Sequence, residues 1–451
     1  MDEKWRKRFR RNVSQTQFIA YGFFCIILVG TLLLMLPFSS RDGQSEPFLN
    51  CLFTATSASC VTGLVVRDTW TQWSLFGQLA ILTMIQIGGL GFITVGVFIS
   101  IVLRRKIGLK ERGLLQESVN TLQIGGVVRL AKRIIKGTCI FEGVGAILLS
   151  IRFIPQFGFL KGAFYGIFHS ISAFCNAGFD LMGNQEPYSS FVSYSDDWLV
   201  NLVIMSLVVI GGIGFIVWDD IYKNKFHMNK YLLHTKIVLV TTALLLFGGA
   251  LLFYLLERNN LLVGMNASGQ ILTSLFSSVT ARTAGFNTSN TGALTDASKL
   301  LTIVFMFIGG SPGSTAGGIK TTTLFVLLMC VHSNIKQTYG VNVFGRRLED
   351  IAIKRAGTIL SINLFLALTA ALAIMALEPF GFSDILFETF SAIGTVGMTT
   401  GITRELHTLS RVIIIILMYC GRIGSLSFAL AFVQSHRRAH IEQPAETINV
   451  G

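Results

Sequence analysis

Four short stretches of this chain set a glycine behind small or polar residues: Val61-Thr62-Gly63-Leu64, Asn176-Ala177-Gly178-Phe179, Thr283-Ala284-Gly285-Phe286 and Thr395-Val396-Gly397-Met398. A Thr-Val-Gly bend can present backbone oxygens that replace the water shell of a cation. Glycine suits such a bend because it accepts angles that turn successive carbonyls the same way. One tripeptide of this kind carries little, but four in one chain form a pattern. Similar segments precede each glycine, at residues 53–58, 168–173, 275–280 and 387–392. A second glycine cluster follows each: Gly88-Gly89-Leu90-Gly91, Gly211-Gly212-Ile213-Gly214, Gly309-Gly310 and Gly421-Arg422-Ile423-Gly424. The step from the first glycine to the cluster is 24 to 33 residues, so the chain reads as four diverged repeats.

The elements that must hold these stretches follow from hydropathy. Of 451 residues, 51% are hydrophobic and 14% charged, where a soluble domain carries about 25% charged residues. Apolar runs that reach the ~20 residues of a bilayer crossing lie at 18–36, 74–103, 134–154, 198–218, 235–256, 300–330, 357–376 and 412–432. Between them, 48–58, 162–173, 270–281 and 383–393 are too short to span. They read as re-entrant helices, which persist at membrane depth only when buried in protein or lining a cavity. The run at 18–36 has no small-residue cleavage site and reads as a span rather than a signal peptide. The fold class expected is therefore all-α integral membrane, with eight spanning helices arranged as four helix–pore loop–helix repeats. The division expected is a basic N-terminus (1–17), repeat 1 (18–103), a cytoplasmic loop with repeat 2 (104–221), repeat 3 (222–330), repeat 4 (331–433) and a C-terminal tail (434–451).

Charge tests this topology. With both termini cytoplasmic, the segments 1–17, 104–136, 219–236, 331–355 and the tail hold 26 of the 37 Lys and Arg residues. Positive charge favours cytoplasmic loops, and the arrangement puts all four re-entrant loops on the outer face. The net charge of +13 is thus topological and does not indicate nucleic acid. Anionic lipid heads are the expected contact of these loops. Acids exceed bases on the outer side, which would concentrate cations there. None of the seven cysteines forms a CxxC pair, so packing is preferred over metal or disulfide chemistry. No paired carboxylates, Ser/His/Asp set or metal-ligand spacing emerges. The chain is expected to be no enzyme, with no catalytic residue and no cofactor of its own. His169 reads as a local hydrogen-bonding residue.

Two features inside the apolar runs are costly. Arg422 lies ten residues from either end of 412–432, about 15 Å from each. A buried arginine implies a partner or a watery cavity; backbone carbonyls of an irregular segment are preferred over Glu142, the one acid placed inside a span. That irregular segment is Gly309-Gly310-Ser311-Pro312-Gly313-Ser314-Thr315-Ala316-Gly317-Gly318-Ile319-Lys320, which cannot hold a regular helix. Ile319 between Gly318 and Lys320 removes the likeness to a phosphate-binding loop. The break begins 24 residues after Gly285, and Arg422 lies 25 after Gly397, so both belong at similar depth below the four glycines. Gly88, Gly89, Gly211 and Gly212 read as helix-packing glycines. Arg282 is expected to point behind the third bend and tie it down, with Glu388 as a candidate partner.

These motifs resemble the Trk/Ktr/HKT superfamily of potassium transporters over roughly residues 15–435. The likeness is carried by Val61-Thr62-Gly63-Leu64, Gln86-Ile87-Gly88-Gly89-Leu90-Gly91-Phe92, Asn176-Ala177-Gly178-Phe179, Arg282-Thr283-Ala284-Gly285-Phe286-Asn287 and Gly421-Arg422-Ile423-Gly424. The resemblance implies one pseudo-fourfold pore. Its selectivity filter would be Val61, Thr62 and Gly63; Asn176, Ala177 and Gly178; Thr283, Ala284 and Gly285; and Thr395, Val396 and Gly397. Potassium would be the one ion held there, and glycine at position 63 goes with potassium selectivity. The resemblance also implies an intramembrane gate of Gly310, Ser311, Pro312, Gly313, Ser314, Thr315, Ala316, Gly317 and Gly318 with Arg422. The compact length is similar to the Ktr membrane subunit. That implies a plasma-membrane homodimer on a cytosolic ring of regulatory subunits, which bind the nucleotide, with sodium as a candidate activator. The alternatives are a sodium-permeable or sodium-coupled transporter of the same fold and a membrane receptor or scaffold that has lost conduction.

Overall fold

The structure is a computed structural model that describes residues 14–103, 107–119, 126–225, 227–424 and 446. The basic cluster at 4–11, the end of the expected span 412–432 and nearly all of the tail 434–451 lie outside the described residues.

Chain order gives α1 (Gln15–Leu34), α2 (Phe48–Ser59), α3 (Leu75–Leu90), α4 (Phe92–Val102), α5 (Leu109–Val119), α6 (Val127–Phe157), α7 (Phe159–Phe174) and α8 (Trp198–Gly212). Then follow α9 (Phe215–Asn224), α10 (Leu233–Glu257), α11 (Ala267–Thr280), α12 (Asp296–Phe307), α13 (Thr321–Ile335), α14 (Asp350–Leu377), α15 (Phe382–Gly394) and α16 (Thr408–Ile423). Polar residues start several of these apolar helices. The Ser14 and Gln17 side chains form a reciprocal capping box on α1. Ser74, Asp197, Asn266 and Thr295 each accept a first-turn N–H at the head of α3, α8, α11 and α12.

The helices α1, α6, α10 and α14 are each long and apolar enough to cross a membrane. Their outward faces expose apolar side chains at helical spacing, such as Ile140, Val144, Ile147 and Ile151 on α6 and Val240, Leu244, Phe247 and Leu251 on α10. The interior holds many buried Ser, Thr and Asn residues. An apolar exterior over a partly polar interior is the arrangement for a lipid solvent, and the chain is a multi-pass membrane protein.

The expected helices at 74–103 and 198–218 are not continuous. Each bends by 94°, between α3 and α4 and between α8 and α9. The bends fall at Gly91 (φ +78) and Gly214 (φ +98), the last glycine of each cluster. Both have a positive φ with an extended ψ (128° and 141°), a conformation that breaks the helix and that glycine adopts without strain. The break at Gly309–Lys320 was expected and is present, between α12 and α13. A two-stranded hairpin at Asn342–Val343 and Arg346–Arg347, not expected from the sequence, joins α13 to α14.

The short helices α2, α7, α11 and α15 have 12 to 16 residues, about 18–24 Å, well under the ~30 Å of a hydrocarbon core. Each packs along the long helix before it: α1 on α2, α6 on α7, α10 on α11 and α14 on α15. The following helices touch the next short helix in order: α3 on α7, α8 on α11, α12 on α15, and α16 back on α2. That last contact closes the cycle.

Candidate functional site

The short helices end at the centre in a shared local geometry. After each comes a left-handed non-glycine residue: Val61 (φ +50), Asn176 (φ +58), Thr283 (φ +70) and Thr395 (φ +50). Two residues later comes a left-handed glycine, at Gly63, Gly178, Gly285 and Gly397. In the first, second and fourth bends the intervening amide closes a wide helix cap: Thr62 N–H on Ser57 O at 2.8 Å, Ala177 N–H on Ser172 O at 2.8 Å and Val396 N–H on Ser391 O at 2.9 Å. Left-handed geometry is strained for β-branched Val61, Thr283 and Thr395, and such strain gathers where function requires a fixed backbone.

Side-chain hydroxyls hold the bends. The Gly63 and Gly397 amides donate to Ser57 Oγ and Ser391 Oγ at 3.0 and 3.1 Å. In the second and third bends the sense reverses: Ser172 Oγ and Thr280 Oγ1 donate to the Phe179 and Phe286 carbonyls at 2.7 and 2.6 Å.

The four glycines form a closed ring. A Cβ added to Gly63 would stand 2.5 Å from Ala177 O, and one on Gly178 would stand 2.7 Å from Ala284 O. On Gly285 it would meet Val396 O at 2.5 Å, and on Gly397 it would meet Thr62 O at 2.0 Å. Each glycine therefore abuts the carbonyl that precedes the next glycine, leaving no room for a side chain. The twelve sequence-assigned residues come together here, every non-glycine among them buried.

Of the glycines expected to allow close packing, Gly88, Gly89 and Gly211 do so, while a Cβ on Gly212 would meet only Asn176 Nδ2 at an ordinary 3.6 Å. Gly88, Gly211 and Gly421 press on the Ser59, Phe174 and Ile393 carbonyls at the ends of α2, α7 and α15. The third repeat departs from this, because its helix is broken at that level.

The break is a loop stitched to the junction of α8 and α9. The Ser311 and Thr315 amides donate to Gly212 O and Gly211 O at 2.9 and 3.3 Å, and Phe215 N–H donates to Gly313 O at 2.8 Å. The last carbonyls of α8 and the first amide of α9 thus find partners in the loop. Arg422 donates through Nη1 to Thr315 O and through Nη2 to Gly88 O and Gly89 O. The expected carbonyl partner of Arg422 is present in the loop. The two acceptors at the end of α3 were missed by sequence reasoning. They are a second attraction, because a helix C-terminus carries partial negative charge. Lys320 Nζ donates to Ala316 O and Gly317 O at 2.7 and 3.2 Å. Three consecutive loop carbonyls, 315 to 317, are therefore held by two cations.

Arg282 does not meet Glu388. It lies buried beside Gly212, Thr242 and Gly310, while Glu388 accepts from the Thr399 and Thr403 hydroxyls in the loop after the fourth bend. A carboxylate with two hydroxyl donors has no need of a distant guanidinium. Glu142 takes Gln86 Nε2 at 3.2 Å and Cys175 Sγ at 3.9 Å, not Arg422. His169 is a hydrogen-bonding residue, as read: Nδ1 meets Tyr165 O at 2.7 Å, and Nε2 accepts from Leu181 N–H at 3.0 Å. Asp180, two residues after Gly178, has its carboxyl pushed up to about 7 by lost hydration and by the charge of Asp68, against donors from Met182 N–H and Ser190.

A family model described as TrkH, cation transport protein, matches residues 3–443. The chain is 41% identical over 453 residues to a potassium/sodium uptake protein, NtpJ, of Enterococcus hirae, covering 99% of each. It is 41% identical over 437 residues to the Ktr system potassium uptake protein B of Bacillus subtilis, covering 96% of each. The crystal structure of the potassium transporter TrkH from Vibrio parahaemolyticus superposes with a TM-score of 0.71 over 92% of this chain and 85% of that one, at 18% identity.

Proposed function

This chain belongs to the TrkH family of cation transport proteins, and from that premise we propose that it is the ion-conducting subunit of a potassium uptake system. The observation that carries the reading is the closed ring of Gly63, Gly178, Gly285 and Gly397 at the ends of four short membrane-buried helices. In this reading the chain is four fused helix–pore loop–helix repeats, eight spans in all, about one pseudo-fourfold pore. The boundaries are those of the sequence division given above. Carbonyls around the ring replace part of the hydration of potassium, and the left-handed bends before it are fixed so that the ion meets a preformed site. Gly310–Gly318 and Arg422 form the gate below it. Their polar groups satisfy each other while the loop is seated, and a positive charge at that level raises the barrier to a cation.

The measurement that tests the reading is influx of potassium, rubidium and sodium into liposomes containing the purified chain. Potassium influx above that of protein-free vesicles is the expected result. No cation flux, with or without a cytosolic partner, would return the chain to the non-conducting alternative. The name of the Enterococcus hirae relative, which includes sodium, supports the second reading of a sodium-permeable or sodium-coupled transporter. Sodium influx equal to that of potassium would favour it.

Three relatives are named as parts of Ktr systems, which supports a further subunit. The assembly we propose is a homodimer on a cytosolic ring that binds the nucleotide, with both termini and the basic loops on that face. Co-elution of this chain with a candidate ring subunit at low and high salt tests this, and absence of co-elution at every salt concentration removes it.

A further inference from the structure

Asn176 joins two parts of the molecule that the repeat pattern does not relate. Its side chain is buried, 1% exposed for the whole residue. Oδ1 accepts from Thr315 Oγ1 in the loop at 3.0 Å, and Nδ2 faces Thr283 Oγ1 in the third bend at 3.4 Å. Phe174 O at the end of α7 lies 3.2 Å from the Thr315 hydroxyl and shares its single hydrogen with Asn176 Oδ1. The Thr315 carbonyl is one of those held by Arg422. One polar chain therefore runs from α16 through the loop into the ring at the second and third repeats.

We propose that Asn176 couples the position of the loop to ion selectivity, an inference that rests on reading the ring as filter and the loop as gate. With the loop seated, the Thr315 hydroxyl orients the Asn176 amide, and the amide steadies Thr283. Thr283 is a β-branched residue at φ +70, a conformation it holds only when its surroundings over-determine it. With the loop displaced, Asn176 loses the Thr315 hydroxyl, and the second and third bends are free to relax. Discrimination between potassium and sodium then falls as the pore opens. Val61, the counterpart of Asn176 in the first repeat, has no polar group to make such a link, whereas the loop also lies against Thr395 of the fourth bend, where a Cβ on Gly317 would stand 1.9 Å from Thr395 Oγ1.

The test is the ratio of potassium to sodium influx in liposomes for the wild type, Thr315→Val, Thr315→Ser, Thr283→Val and the Thr315→Val/Thr283→Val pair. A hydrogen bond of ordinary net strength corresponds to a change of roughly three- to tenfold. The expected result is a ratio lowered by that factor in Thr315→Val, restored in Thr315→Ser, lowered similarly in Thr283→Val, and no lower in the pair than in either single variant. If valine is not accommodated at 315, Thr315→Ala removes the same hydroxyl. Potassium and sodium fluxes that rise together in Thr315→Val at an unchanged ratio would overturn the coupling and leave Thr315 as a contact of the loop alone. Multiplicative loss in the pair would also overturn it, because two independent contacts would then be at work. A wild type that passes no cation fails differently, since it removes the transport reading itself.

Discussion

Arg422 and Thr315 lie 107 residues apart in sequence and meet at the centre of the molecule, the guanidinium donating to the carbonyl. The same guanidinium caps α3 at Gly88 O and Gly89 O. Three elements, α3, the loop between α12 and α13, and α16, thus share one charged group, and loss of that group should free the loop.

Arg422→Ala, or deletion of residues 311–316, should raise potassium influx in liposomes. For Arg422→Ala the rise should be about tenfold or more, given the strength of hydrogen bonds to a charged group. Both variants should also depend less on a cytosolic partner. Unchanged or lower influx at matched amounts of folded protein would reduce Gly310–Gly318 to a structural kink.

Gly63→Ser should lower the potassium-to-sodium influx ratio. The serine Cβ would stand 2.5 Å from Ala177 O on a backbone at φ +92, so the ring must distort to admit it. The loss of one well-formed contact with the ion corresponds to roughly tenfold. A wild-type ratio in the variant would remove Gly63 from the filter.

Potassium influx should fall as external pH drops from 8 to 6. Asp180 has its pKa raised to about 7, so its proton goes on in this window and removes a negative charge near the ring. The sign for stability is opposite. A carboxyl whose folded pKa exceeds its unfolded value favours the folded state at low pH, and this contribution is lost as pH rises through about 7. Asp180→Asn should flatten the influx profile, and the thermal midpoint of the variant at pH 8 should equal or exceed that of the wild type. A profile that keeps its slope in the variant would place the titrating group elsewhere.

Gly88→Ala should destabilise the protein by about 1–3 kcal/mol or more, because the methyl would lie 2.1 Å from Ser59 O. Gly96→Ala is the matched control, since its Cβ would meet nothing within 4 Å. A helix-interior alanine there should be neutral or stabilising. Thermal unfolding in detergent compares the two, and equal midpoints would deny the close approach of α3 to the end of α2.

The repeat pattern made the ring legible. Short apolar runs that cannot cross a membrane, each followed by a glycine, leave little choice but a re-entrant bend. The bends of α3/α4 and α8/α9 were not legible from hydropathy, because apolar residues continue through Gly91 and Gly214. The signal available was the third glycine of each cluster. Once a helix stops there, its last carbonyls need donors, and Arg422 is the cation at the corresponding depth. Gly88 and Gly89 are then its acceptors at the end of α3. Nothing in the spacing pairs Asn176 with Thr315, because their contact depends on how the loop folds back over the end of α7. The Arg282–Glu388 pairing failed because Glu388 finds its donors locally, in Thr399 and Thr403.

The ring closes through four neighbours that differ from one another, and this changes what a single codon can do. In an assembly of four identical chains, one substitution appears four times, and its dose is fixed. Here Val61, Asn176, Thr283 and Thr395 occupy corresponding left-handed positions in one polypeptide. Each can drift alone, so the ring can be altered one quarter at a time. A series of variants with one, two or three converted bends would therefore titrate the ring in steps, and natural selection has had the same graded dial to turn.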